Sequence, residues 1–315
     1  MMEQGIPNYS IHRANEENIS LLSLLFEESR GIKFSKEFLK KKFNTMYAGK
    51  RYIAHFALTQ EGYPAAFFCV YPCFVNIDGK QVLAGQSADI ITHSKHQKKG
   101  LFTLLGRATE ALAFAEGINI LFAFPNENSF PGFVRSLGWH HTGNFHIYKL
   151  KSNGFPIYNA LHRLNLGKLY SHFSKQILSK SRIESSKFIG SIPRKSVNSG
   201  FRNTDFYQYK QYNNSFFIEI EDLQIWAKID SILWIGDISI NERVSTEQVL
   251  AILKKQTNKL GLTDFIFEVS QGSYWDLKLS GIISPTIGVP IVYKNLTDVN
   301  QCLSLEFTGG DIDVF

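Results

Sequence analysis

At 315 residues, with 44% apolar and 20% charged side chains and a formal charge of +6, the chain is too long for one ordinary domain and too apolar for disorder. No apolar run reaches the roughly 18 residues that span a bilayer, and the first residues have neither a basic start nor an apolar stretch, so neither a membrane span nor a secretory signal is expected. Cys69, Cys73 and Cys302 are too few for a disulfide framework and point to a reducing, cytoplasmic setting.

In chain order, apolar spacing of three and four predicts two short helices, over 19–29 and from Phe34. Three strands follow, at 52–60, 65–77 and 81–93, separated by Glu61-Gly62 and Asp78-Gly79 turns, which is the pattern of an antiparallel meander. Residues 101–116 read as the most secure helix, with Leu101, Leu104, Leu105, Ala108, Leu112 and Ala115 on one face and Gly117 as its stop. The almost wholly apolar run 118–125 suits a strand buried on both faces. A short helix over 129–137 and a hairpin turning at Gly143-Asn144 are expected next. Beyond them, 155–180 reads as amphipathic helix broken near Gly167, leading into a Ser- and Lys-rich connector that reaches about residue 200. Residues 151–200 hold nine Lys and Arg against the single acid Glu184, so the basic character of the chain sits in this segment. The remainder repeats the first half in order: three strands, a helix capped by Ser245 or Thr246, a strand, a short helix and a last strand, without a glycine loop.

The chemistry is concentrated in THSKHQKKGLF, residues 92–102, between a strand and the secure helix. A helix start offers outward N–H groups and partial positive charge, Gly100 allows close backbone approach, and Lys98 and Lys99 add cationic flanks, so a pyrophosphate is the natural guest. Gln97, Lys98, Lys99, Gly100, Leu101 and Phe102 resemble the Q/R-x-x-G-x-G/A acetyl-CoA loop of the GNAT acetyltransferase superfamily, with Phe102 in place of the last small residue. FPNENSFPGFVRSLGW at 124–139 resembles the next element of that family.

The resemblance implies an α/β (α+β) fold: a mixed, mostly antiparallel sheet, splayed and flanked by helices, followed by a second, smaller GNAT-like domain. The implied division is 1–150 for acyl-CoA binding, 151–200 as connector and 201–315 as a degenerate GNAT-like domain. Acetyl-CoA or another acyl-CoA is the implied co-substrate, with backbone at Ile91, Thr92 and His93 along its arm, the loop 97–102 on its pyrophosphate, and Asn126 and Asn128 opposite. Asp89 is the first candidate for the catalytic base, with a structural hydrogen-bond acceptor as its alternative, and His93 and Ser129 are further candidates. Where the family often carries a Tyr in the short helix, this sequence has Val134. Cys69 and Cys73 fit buried apolar positions better than zinc ligands, and His140, His141 and His146 lack the partners a metal site needs. Phe67, Phe68, Phe122 and Phe124 are candidates for an acyl pocket. The implied acceptor is a small-molecule amine, by analogy an amino sugar of a bacterial surface glycan. DNA is not expected, and the basic segment is the candidate for contact with an anionic surface. Two alternatives carry the same fold: a CoA-binding regulatory protein without turnover, and a tRNA-dependent aminoacyl transferase, against which the glycine loop argues.

Overall fold

The computed structural model describes residues 8–192, 198–298 and 303–315. Cys302, Arg194 and Lys195 lie outside them. In chain order the elements are β1 (Tyr9–Arg13), α1 (Ser20–Arg30), α2 (Lys36–Lys42), β2 (Ile53–Thr59), β3 (Pro64–Ile77), β4 (Lys80–Thr92), α3 (Leu101–Ala115), β5 (Ile120–Ala123) and β6 (His140–Lys151). They continue as α4 (Ile157–Arg163), α5 (Gly167–Leu178), β7 (Ser199–Gly200), α6 (Thr204–Lys210), β8 (Phe216–Ile220), β9 (Leu223–Asp230) and β10 (Ile232–Ile238). α7 (Thr246–Lys259), β11 (Asp264–Ser270), α8 (Tyr274–Ser280) and β12 (Thr286–Asn295) complete the set.

The chain forms two compact units, one of Met1–Thr142 with Val289–Ser304, the other of Gly143–Gly288 with Leu305–Phe315. The first unit holds the expected meander, with β1, β2, β3 and β4 antiparallel in that order and an Asp78-Gly79 turn joining Ile77 to its partner Lys80. β1 falls in the polar start and was not anticipated. β5 runs parallel to β4, as the crossover through α3 requires. The other edge of β5 is filled by β12, with Val292 opposite Ala123 and Asn295 opposite Ile120. The sheet of the first unit is therefore completed by a strand from late in the sequence.

Alternation along the strands gives this sheet two apolar faces. Phe67, Cys69 and Tyr71 of β3 turn toward Leu22, Leu25, Phe26, Leu39 and Phe43 of the α1–α2 side. Phe68 and Val70 turn the other way, toward Leu101, Leu105 and Ala113 of α3 and toward Phe133 and Trp139. Consecutive Phe67 and Phe68 thus lie on opposite faces and cannot line one pocket together. The buried stripe of α3 runs through Leu101, Leu105, Gly106, Thr109, Glu110 and Ala113, rotated from the expected one, with Leu104, Ala108 and Leu112 only half-buried. Gly106 sets the rotation: a Cβ there would stand 2.7 Å from Leu137 and 3.3 Å from Phe68, so the helix lies close on the sheet only along this line.

Glu110 brings a charge into that packing. Its carboxylate accepts from Trp139 Nε1 at 2.6 Å and pairs with Lys294 Nζ of β12 at 2.6 Å, and Lys294 also donates to the Leu137 carbonyl at 2.8 Å. The late strand is thereby held to the helix that begins at the glycine loop.

The second unit orders its sheet β6, β11, β10, β9, β8, with only β10 and β11 parallel, joined through α7. No hairpin turns at Gly143-Asn144: β6 runs unbroken from His140 to Lys151, because β11 supplies the partner for Phe145–Lys151. The amphipathic helix expected over 155–180 is present as α4 and α5, with α5 starting at Gly167, and Tyr170 and Leu178 join the core formed by α7 and the sheet. The aromatic run near residue 206 is helix α6, with Phe206 and Tyr207 buried against Trp226. Arg202, its side chain buried, binds Asp237 Oδ2 at 2.6 Å and Asp311 Oδ1 at 2.9 Å, tying the C-terminal residues to β10.

Lys294→Met strips the cation from the buried Glu110 carboxylate and is expected to lower the unfolding free energy by about 3 kcal/mol, read from urea titrations. Adding Glu110→Gln should restore part of the loss.

Candidate functional site

The site begins where β5 ends and its parallel neighbour β4 runs on. β4 and β5 pair only from Ala84–Ile120 to Ser87–Ala123, while β4 continues to Thr92 along β3. Between Phe67 and Cys69 the β3–β4 register shifts, so Asp89 and Ile90 together oppose Phe68. This is a β-bulge, with Asp89 in the left-handed region at φ 48°, and a bulge bends its strand and sharpens the local twist. Past Ser87, β4 has no β5 residue beside it.

The bulge aims Asp89 toward α2. Lys42 Nζ stands 2.6 Å from Asp89 Oδ2, and the Tyr71 hydroxyl donates to the same oxygen. Both donors converge on Oδ2, leaving Oδ1 with no hydrogen-bond partner among the described residues. Lys42 and Asp89 are almost buried, and the Lys42 ammonium also lies 5.3 Å from the Tyr71 ring centroid. Sequence reasoning passed over Lys42 because it ends a run of three lysines that reads as a solvated face; its spacing of three from buried Leu39 was the available signal. Tyr71 could have been found from its two-residue spacing with Phe67 and Cys69. Gln86, opposite Tyr71 in the register, is also buried, and its Nε2 has no acceptor among the described residues.

His93 follows β4 and is buried. Its Nδ1 accepts from the Lys95 amide at 3.3 Å, which leaves Nε2 to carry the proton toward Glu28 Oε2 at 3.5 Å. The Tyr63 hydroxyl donates to that same Glu28 oxygen, and burial together with Glu28 pushes the phenol up to about 12. Beyond His93 the chain is exposed from Ser94 to Gly100, apart from half-buried His96. Lys98 at φ 60° and Gly100 at φ 76° both take left-handed backbone, and Gly100 is the residue that starts α3. No side chain caps α3 and no acid lies in its first turn, so the leading N–H groups keep their partial positive charge. Lys99 is anchored by donating to the Tyr9 hydroxyl at 3.1 Å, which in turn lies 2.7 Å from His96 Nδ1. Burial, then the charges of Lys99, His93 and Lys95, lower the His96 pKa, which suits a neutral ring accepting from Tyr9. Gln97 is exposed and reaches back to the Thr92 carbonyl at 3.5 Å. Leu101 is buried in the core, and Phe102 packs edge-on against Phe68 and Phe133.

On the far side of the parting, Asn126 folds the chain after β5. Its Oδ1 accepts from the amides of Asn128 at 3.0 Å and Ser129 at 3.1 Å, and from the Ser129 hydroxyl at 3.2 Å. Ser129 is thus engaged within its own turn, while Asn128 remains exposed. Ile91 faces the α1–α2 core and Thr92 is half-buried, so these two offer backbone rather than side chain. Val134 lies in a π-helical turn at Gly132–Ser136 and packs with the α3-side core.

His140 lies 5.5 Å from Tyr293 and His141 5.3 Å from Phe130, ring to ring. His146 Nδ1 is instead 2.7 Å from Asp276, which also accepts from the Tyr148 hydroxyl at 2.6 Å. Cys69 and Cys73 are buried in β3. The corresponding helix start in the second unit is closed. Ser245 caps α7 and Gln248 returns the bond, with Glu247 in the first turn. Where α3 leaves its amides and positive end open, α7 has filled both with its own side chains.

Residues 10–142 match a family model described as an acetyltransferase (GNAT) domain. Among solved structures, the chain is similar to a putative acetyltransferase from Pyrococcus horikoshii, at 11% identity over 99% of this chain and 97% of that one, with a TM-score of 0.55. It is similar to a GCN5-related N-acetyltransferase from Kribbella flavida, at 11% identity over 92% and 71%, TM-score 0.55. A Saccharomyces cerevisiae N-myristoyltransferase with bound myristoyl-CoA matches at 10% identity over 92% and 82%, TM-score 0.51. At these identities the likeness is one of fold. No curated protein matches the sequence.

The buried Lys42–Asp89 pair carries a prediction that does not depend on any ligand. Lys42→Met should cost about 3 kcal/mol of stability by leaving Asp89 uncompensated, and Lys42→Met with Asp89→Asn should cost less than the single change. A double variant whose loss equals the sum of the two single losses would mean that the two side chains are not coupled.

Proposed function

We propose that this chain, which carries a GNAT acyltransferase domain over residues 10–142, holds an acyl-CoA thioester where β4 and β5 part and transfers its acyl group to a primary amine. The observation that carries the reading is the uncapped start of α3 beside that parting. Open amides, a left-handed Gly100, exposed Lys98 and anchored Lys99 suit a diphosphate, and α7 offers nothing equivalent. Residues 97–102 would hold the pyrophosphate, backbone at Ile91, Thr92 and His93 would meet the pantetheine amides, and Asn126 and Asn128 would face the arm from the β5 side. The orphaned Gln86 Nε2 adds a donor in search of an acceptor on β4.

Acyl transfer to an amine requires removal of a proton from the ammonium, attack of the neutral nitrogen on the thioester carbonyl, and departure of the thiol. Asp89 is our choice of base, through its unoccupied Oδ1, with Lys42 and Tyr71 fixing the carboxylate from the other side. His93 and Ser129 are secondary candidates, because the ring nitrogens of one and the hydroxyl of the other already have local partners. The CoA thioester, when bound, supplies the activated carbonyl and the leaving group.

The sequence order of the second half, with β10 and β11 parallel about α7, supports reading 201–315 as a degenerate GNAT-like domain and 1–150 as the acyl-CoA domain. The acceptor class we favour is an amino sugar, by analogy with tandem transferases of surface glycans, in a cytoplasmic setting. One observation favours a second reading, CoA binding without turnover: Val134 stands where the family often places a proton-donating Tyr. A thiol-release screen of amino sugars, nucleotide-linked amino sugars, amino acids and polyamines, run with acetyl-CoA and longer acyl-CoA donors, separates the two.

Gly100→Glu should abolish desulfo-CoA binding in calorimetry while the far-UV circular dichroism stays unchanged, since a carboxylate would enter the positive helix start; normal binding would remove the loop from the site. Asp89→Asn should lower turnover more than affinity, and an unaltered kcat across pH would exclude Asp89 from the mechanism.

A further inference from the structure

A patch in the second unit is explained neither by its core nor by acyl transfer. α4 and α5 turn their inner faces, through Tyr158, Leu161, Tyr170, Phe173, Ile177 and Leu178, onto the apolar core of that unit. The turn between them is closed by Leu166 N donating to the Leu161 carbonyl at 2.8 Å and by Asn165 in left-handed backbone at φ 58°. On the outside of this turn Leu164 is 67% exposed, Leu169 54% and Leu166 43%. An amphipathic hairpin with a satisfied inner face has no packing reason to carry three exposed leucines within six residues.

The charges along their own segment are of one sign. From Lys151 to Lys180 the sequence contains no Asp or Glu, and Arg163 and Lys168, both exposed, flank the leucines directly. Lys175 and Lys180 extend the cationic face along and beyond α5, and Phe155, 73% exposed, stands just before α4. No helix among the described residues is long and apolar enough to cross a membrane, so this is a surface feature and not a span.

We propose that the α4–α5 turn docks on an anionic lipid surface, with Leu164, Leu166 and Leu169 entering the headgroup–acyl boundary and Arg163 and Lys168 meeting the headgroup charges. Charge complementarity selects this occupant. A second copy of the chain would bring two all-cationic rims together, and three leucines are too small an area for a stable dimer interface. A nucleic acid would use the same cations and could stack on Phe155 or Arg163, but it would leave the three exposed leucines with nothing apolar to bury against. The proposal rests on side chains remote in sequence from the glycine loop and stands whether or not the acyl-transfer reading is correct.

The test uses the full chain in co-sedimentation with phosphatidylcholine vesicles, with and without phosphatidylserine, at low and high salt. Binding only to the anionic vesicles, weakened by salt and reduced at least about tenfold by Leu164→Ser with Leu169→Ser, supports docking with insertion. Both sites are exposed, so an unchanged thermal melt is expected and shows that the loss is not one of folding. Absence of binding to anionic vesicles overturns the proposal, as does a double serine variant that binds like the parent. Binding of a single-stranded RNA that Arg163→Gln with Lys168→Gln loses and the serine variant keeps, without vesicle binding, assigns the patch to nucleic acid and overturns it. A concentration-dependent dimer in sedimentation velocity that the serine variant abolishes, again without vesicle binding, overturns it in favour of self-association.

Discussion

The first unit is organised around the point where β5 ends at Ala123 while β4 runs on past Ser87 along β3. All four residues of β5 pair with β4, so the open edge of β4 lies beyond the end of β5. The bulge at Asp89–Ile90 lies on that farther stretch, where β3 bonds one edge of β4 and no β5 residue stands beside the other. A bulge places a polar side chain where alternation would have put an apolar one. The cost of burying Asp89 is met by Lys42 and Tyr71, drawn from α2 and β3. Both partners hold Oδ2, so the other carboxylate oxygen has no hydrogen-bond partner among the described residues.

The two long helices that cross between parallel strands show what the gap requires. α3 and α7 have comparable lengths and similar places in their sheets, yet their first turns differ in chemistry. α7 spends its leading amides on Ser245 and Gln248 and stabilises its positive end with Glu247, which is what a helix does when it has only to be stable. α3 begins on a left-handed glycine with no cap and no acid, and forgoes that stabilisation. A helix start left open next to an unpaired strand edge is an arrangement that a bound anion would complete.

Much of the fold was legible in the sequence, and the failures share a cause. The meander, α3, the glycine loop and the succession of strands and helices along both halves could be read because local periodicity and turn chemistry decide them. Gly143-Asn144 looked like a hairpin turn on local grounds, but β11 offered β6 a partner and the strand ran through. That β12 completes the first sheet is equally invisible to a local reading, as is the Glu110–Lys294 pair that fixes it. The candidate site divides in the same way. Gly100, Lys98 and Asp89 were singled out because they lie in or beside the motif, whereas Lys42 and Tyr71, which reach the bulge from other elements, and Gln86 carry no motif of their own. Ser129 looked available in sequence, and its hydroxyl is taken up by Asn126 in its own turn.

The central claim, that the open start of α3 and the freed edge of β4 together receive a CoA molecule, is tested most directly by titrating the isotope-labelled chain with desulfo-CoA and following backbone amides by NMR. The account predicts the largest shifts at residues 89–92 and 98–103, with the amides that open α7 at 246–249 unmoved. Saturable binding that perturbs α7, or any other region, while leaving those two segments unchanged would contradict it.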